Sequence, residues 1–148
     1  MKVERYFIKN NLDMDSMHDS YSTEIKIENN CLIIVYDRFD ESVMDLDGNP
    51  YYNNKRLTIR YEFDSYCDAK FYYSKNKFLR IDMIEDMRQF NKITKKCLFI
   101  SYKYLVDSFN ELTLDFSLRK IINGKYCKHK YYELEIELDA TNVTYIWE

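Results

Sequence analysis

The chain has 148 residues, a formal net charge of -3 and a pI near 5.5, with 46% hydrophobic and 32% charged residues. That length and balance predict one folded domain, residues 1–148, able to bury about two-thirds of its unfolded surface. Two Gly and one Pro leave no glycine-rich phosphate loop, which excludes Rossmann and Walker-type nucleotide sites, and neither a G-x-S-x-G elbow nor a zinc-ligand spacing occurs.

In chain order, period-two alternation dominates. Residues 3–8 read as a first strand. Thr23, Ile25 and Ile27 alternate with Glu24, Lys26 and Glu28, and the Asn29–Asn30 pair then supplies a hairpin turn. "CLIIVY", residues 31–36, returns as a buried strand. The irregular segment 40–55 contains "DGNP", a turn in which Gly supplies positive φ and Pro a fixed one. Leu57, Ile59, Tyr61 and Phe63 share one face of the next strand, and 69–73 reads as another. "KFLRIDM" alternates Leu79, Ile81 and Met83 against Arg80 and Asp82.

Met83, Met87 and Phe90 fall at helical spacing, which predicts a short helix over 84–94. Asp82, Glu85 and Asp86 stand in its first turn and Lys92, Lys95 and Lys96 near its end, as the helix dipole favours. Residues 97–106 read as a strand. Leu112, Leu114, Phe116 and Leu118 mark the following one. "YYELEIELDA" turns Tyr132, Leu134, Ile136 and Leu138 inward and Glu133, Glu135 and Glu137 outward, and 143–147 reads as a last strand. Clean alternation means antiparallel strands with one solvated face. The expected fold is all-β, or β-rich α+β: a single antiparallel sandwich or barrel of nine or ten strands with one short helix.

Cys31, Cys67, Cys97 and Cys127 form no C-x-x-C pair, and three of them adjoin apolar or aromatic strand residues, as buried free thiols do; two disulfides are the alternative. With no signal peptide and no membrane-length apolar run, the expected location is a reducing cytoplasm. Asp13, Asp15, His18 and Asp19 cluster before the second strand. As metal ligands they lack the calcium-loop pattern, and "DLDG" at 45–48 lacks its third acid and closing Glu. As a catalytic pair, His18 and Asp19 are adjacent on an extended chain and face opposite ways. Cys127 and His129 have no second ligand pair. No cofactor, metal or catalytic role is therefore expected, and the cluster reads as a polar or recognition loop.

Charge is segregated along the chain. Residues 1–48 hold eleven acids and five bases, residues 49–103 twelve bases and six acids, and residues 104–148 eight acids and five bases. In the middle third, Lys70, Lys75, Lys77, Arg80, Arg88, Lys92, Lys95, Lys96 and Lys103 stand among Phe71, Tyr72 and Tyr73. That mixture suits single-stranded nucleic acid, but Asp82, Glu85 and Asp86 interrupt it and the whole chain is acidic, which argues against direct nucleic-acid binding. In the first third, Asp13, Asp15 and Asp19 precede one hairpin strand, and Asp40, Glu41, Asp45 and Asp47 follow the other. Hairpin logic places both loops at one edge, an acidic rim for a basic partner, with Phe39, Tyr51 or Tyr52 as anchor.

"MHDSYSTEIKIENNCLIIVY", residues 17–36, resembles the opening of a loose group of small bacterial all-β proteins. The resemblance rests on His18, Asp19, Ile25, Ile27, Leu32, Ile33 and Val35. Some of that group are similar to immunity proteins of polymorphic-toxin systems, which act by binding. The resemblance implies a small cytoplasmic, stoichiometric inhibitor without enzyme activity, its partner a basic toxin or nuclease and no membrane involved. A phage-borne, anti-CRISPR-like inhibitor of a nucleic-acid-processing defence enzyme has the same physical profile. A β-barrel binding a small ligand among Tyr and Phe is a further alternative, and a hydrolase or lyase would need convergent acids.

Overall fold

A computed structural model describes residues 1–7, 21–38, 56–95, 98–107, 111–122, 125–127 and 131–148. Among these described residues, nine strands and one helix run in the order β1 (Lys2–Phe7), β2 (Tyr21–Glu28), β3 (Cys31–Arg38), β4 (Leu57–Ser74), β5 (Lys77–Asp82), α1 (Met87–Thr94), β6 (Leu98–Asp107), β7 (Glu111–Ile122), β8 (Lys125–Cys127) and β9 (Glu133–Trp147). Every pairing is antiparallel, as the alternation requires. The β2–β3 hairpin closes through Asn29 and Asn30, both at positive φ (51° and 55°). Asn tolerates that left-handed conformation better than most residues, and the paired positive φ angles match the strands' twist.

Two strands are longer than the sequence pattern suggested. The stretches 57–63 and 69–73 belong to one 18-residue strand, β4, and the stretches 133–140 and 143–147 to one 15-residue strand, β9. The two pair along nearly their whole length, with register shifts between Glu62 and Phe63 and between Phe63 and Cys67. At that break the alternation loses its phase, which is why the sequence reads as two strands. The chain stays in the ladder because the Asp139 carboxylate takes over the unpaired backbone. It accepts N–H bonds from Asp64 (3.2 Å), Ser65 (2.8 Å) and Tyr66 (3.0 Å), and one from the Ser65 hydroxyl. Thr141 adds a hydroxyl bond to the Glu62 carbonyl at 3.3 Å.

Each long strand thereby serves two neighbourhoods. The first part of β4 pairs with β3 and the second with β5; the second part of β9 pairs with β1 and the first with β7. Strand β6 joins β7 to β2, but β2 and β6 share only two residue pairs, so the sheet is not closed. Helix α1 lies beside that short seam. Its Asn91 side chain holds the outer edge of β2 as a neighbouring strand would: Ile27 N–H donates to Asn91 Oδ1 (2.8 Å) and Asn91 Nδ2 donates to the Ile27 carbonyl (3.0 Å).

The helix starts at Met87 rather than at Ile84. Asp82 turns the chain first, its carboxylate accepting from the N–H groups of Ile84 (3.0 Å) and Glu85 (3.3 Å), so the expected first-turn acids precede the helix. Phe90 then enters the core against Phe71, ring centroids 5.7 Å apart.

One core runs through both neighbourhoods, with Trp147, Tyr61, Phe71, Phe90 and Phe116 among its largest fully buried side chains. Strand β3 is apolar on both faces: Leu32, Ile34 and Tyr36 join the main core, while Cys31, Ile33 and Val35 form a small cluster on the other side. Cys31 and Cys67 are buried free thiols. Burial pushes both up, Cys67 strongly, with Asp68, Asp139 and Asp82 adding to the effect. Among the described residues no helix is long and apolar enough to cross a membrane.

Candidate protein-binding face

Strand β9 positions the candidate face. Leu134, Ile136 and Leu138 are buried in the core, which sends Glu133, Glu135 and Glu137 to the opposite side. The register of the flanking strands completes three rows across β5, β4, β9 and β7. Phe78, Tyr72, Glu133 and Ser117 form the first. Arg80, Lys70, Glu135 and Asp115 form the second, and Asp82, Asp68, Glu137 and Thr113 the third. A further pair, Asp139 opposite Glu111, follows. Rows recur about every 6.8 Å along the strands and neighbours lie about 4.8 Å apart across them.

The cations on this face are already engaged. Arg80 donates to Asp68 at 2.6 Å, and that hydrogen bond and charge raise its own pKa. Lys70 lies 3.5 Å from Glu135, the two side chains only 28% and 24% exposed, and 5.4 Å from the centroid of the Phe78 ring. Glu133, Glu137, Glu111 and Asp82 exceed what these two bases balance. The phenols report the resulting field. Burial raises the pKa of Tyr66, and the carboxylates of Glu111, Asp139, Glu137 and Asp68 raise it further. Tyr72 is raised by burial and then by Glu135, with Lys70 opposing.

Asp139 sits at the corner of this face. Burial alone would raise its pKa; the Ser65 hydroxyl and the N–H groups of Tyr66, Ser65 and Asp64 outweigh burial and hold it below the ordinary carboxylate value. The group is ionised at neutral pH and works as a structural anion.

Aromatic side chains gather at the other end of the rows. Tyr72 and Phe78 are 5.3 Å apart, Tyr73 and Tyr131 6.3 Å, and Phe71 and Tyr131 5.4 Å. Phe78 (43%), Tyr73 (48%) and Tyr132 (45%) are the exposed members; Tyr132, expected from alternation to face inward, precedes the start of β9 at Glu133 and is not held in its alternation.

A separate groove of about 430 Å³ lies between β2 and α1, lined by Thr23, Glu24, Ile25, Lys26, Asn91, Thr94 and Lys95. Of its lining, Ile25 belongs to the core and Thr94 is buried. The interior positions that a small-ligand barrel would leave open hold Trp147, Tyr61, Phe71 and Phe116 instead.

The acids and aromatics expected from sequence to form a binding rim, Asp13, Asp15, Asp19, Phe39, Asp40, Glu41, Asp45, Asp47, Tyr51 and Tyr52, all lie outside the described residues, as do His18 and His129. The described register pairs Tyr21 with Arg38, so the chain enters β2 and leaves β3 side by side. The face on β9 was half visible in the sequence: the outward Glu133, Glu135 and Glu137 were identified by alternation. That Asp68, Asp82, Glu111 and Asp115 stand beside them depends on strand order. No group of three or more His, Cys, Asp or Glu among the described residues has metal-binding geometry.

No family model matches this chain, and no curated protein or solved structure matches it either.

Proposed function

We propose that this protein is a small binding protein that inhibits another protein stoichiometrically, in the manner of an immunity protein that neutralises a toxin or nuclease. The carrying observation is the carboxylate-rich outer face of β4, β9 and β7, whose two bases are both engaged within the face. An excess of carboxylates over bases on one sheet face favours a partner with a basic surface and speeds the encounter with it. Enzymes that hold phosphates carry such basic surfaces, so a toxin nuclease or a nucleic-acid-processing defence enzyme fits the chemistry. Buried free thiols suit a reducing cytoplasm. The two long, shared strands around a filled interior favour a sandwich-like description of the fold over a ligand-holding barrel. The loop acids Asp13, Asp15, Asp19, Asp40, Glu41, Asp45 and Asp47 are the second set of contacts proposed for the same partner.

The test is association kinetics with the partner captured from the native host, at low and high salt. Glu133→Lys with Glu137→Lys should slow association about tenfold at low salt and flatten its salt dependence. Asp13→Lys, Asp15→Lys and Asp45→Lys, made as a separate set, divide the effect between face and loops. An association rate unchanged in both sets, with the fold intact, would remove the electrostatic reading.

A further inference from the structure

The groove between β2 and α1 lies where the outer edge of β2 loses its neighbour. In an antiparallel pair, successive residues turn their N–H and C=O groups alternately toward the partner strand and away from it. The bonds of the Ile27 main chain to the Asn91 side chain fix which residues of β2 face away from β3. Ile27 is one. Ile25, two residues back in a register unbroken from Glu24 to Glu28, is the next. Strand β6 pairs with β2 only at Tyr21 and Ser22, and Asn91 bonds only to Ile27. Among the described residues, the main-chain N–H and C=O of Ile25 therefore have no partner. Ile25 is 2% exposed and its side chain belongs to the main core, so what it gives the groove is this main-chain pair. A buried donor and acceptor left unpaired is costly, and native sheets rarely leave one.

Two observations narrow what fits there. The open edge runs from Thr23 to Lys26, about 13 Å of strand, and is closed by β6 at Ser22 and by Asn91 at Ile27. A strand running straight through would meet one or the other, so an added strand must end in the groove. The charges then choose which end. Glu24, the one acid of the lining, is held by Lys26 at 2.9 Å, and Lys26 also lies 4.0 Å from Glu28. Lys95, exposed at the C-terminal cap of α1, has no carboxylate partner among the described residues. We infer that this groove binds the C-terminal end of a partner polypeptide. One residue of that end pairs its amide N–H and C=O with Ile25, as the Asn91 carboxamide does with Ile27, and the terminal carboxylate meets Lys95. An amino terminus would set a second cation against Lys95, and a simple carboxylic acid would leave the Ile25 pair unmatched. The inference does not rest on the acidic face or on the function proposed from it.

The measurement begins with selection of a random peptide library, displayed with free C-termini, on the full chain. The enriched sequences are then titrated as short labelled synthetic peptides by fluorescence anisotropy. Saturable binding is expected, and amidation of the C-terminus should weaken it about tenfold, as loss of a charge-assisted hydrogen bond does. Lys95→Gln should weaken the free peptides by a similar factor and leave the amidated ones unchanged. Lys95 is exposed, so the variant retains the fold. N-methylation of the peptides, one amide at a time, should identify a single amide near the C-terminus whose loss also costs about tenfold. Bound peptide should slow hydrogen exchange at the Ile25 amide. No enrichment, equal affinity of free and amidated peptides, or Ile25 exchange that saturating peptide leaves unchanged would each overturn the inference.

Discussion

At one end of strands β4, β9 and β7, the segments 63–69, 111–113 and 137–143 contain no base, and Asp64, Asp68, Glu111, Glu137 and Asp139 stand together. At the other end β4 turns into β5 through Lys75 and Lys77, Phe78 is exposed, and Glu133 is the carboxylate of the adjoining row. A strand of this length holds both chemistries because its ends are far apart. A ten-residue strand spans about 33 Å, several times the distance over which physiological salt screens a surface charge. The two ends therefore differ in charge density, with Glu133 the one carboxylate in the row of Phe78 and Tyr72. Net charge taken over the whole chain, or over thirds of it, averages them into a value that describes neither.

The largest way to break the acidic end is to remove the anion that organises it. Asp139→Ala leaves three backbone N–H groups at the β4 break without their acceptor, and should cost about 2–3 kcal/mol in urea unfolding. Asp139→Asn keeps an acceptor and should lie between that variant and the parent. If both variants unfold like the parent, the corner does not depend on the carboxylate.

The same group makes a pH prediction. Its folded-state pKa is lowered by the hydrogen bonds it accepts, so its contribution is complete above the ordinary carboxylate pKa of about 4. The contribution is lost as pH falls through the lower, folded-state value. The stability gap between parent and Asp139→Asn should therefore be constant from neutral pH down to the carboxylate range and narrow below it. A gap that stays constant into strong acid would detach the carboxylate charge from the corner's stability.

A smaller effect sharpens the contrast between the ends. Glu137→Gln removes one of the carboxylates that surround Tyr66, and should stabilise the fold by about 0.5 kcal/mol at low salt, less at high salt. Lys77→Gln at the other end, where no salt bridge holds the side chain among the described residues, should change thermal stability by less than about 0.5 kcal/mol. Equal and salt-independent responses at the two ends would mean that the carboxylates do not repel measurably.

Period-two alternation was enough to identify the antiparallel β class, the β2–β3 hairpin with its asparagine turn, the doubly buried β3 and the inward faces of β4, β7 and β9. Those features follow from which side of a strand each residue occupies, and that is local information. The continuity of β4 and β9 was hidden, because the alternation breaks at 63–67 and the bond that repairs it comes from Asp139, more than seventy residues away. The start of α1 was displaced by Asp82, whose side chain captured the turn that first-turn acids were expected to cap.

By itself, then, the sequence determined that this chain forms antiparallel strands with apolar inner faces, and which acids and bases those strands turn outward, because pleating alternates side chains regardless of what the strand pairs with. Only the tertiary structure decided that β7 lies beside β9 and β9 beside β4. That order brings Glu111 and Asp115 next to Glu137 and Glu135, and Arg119 to the same end as Lys75. Strand order depends on long-range pairing, which leaves no periodic trace in either partner.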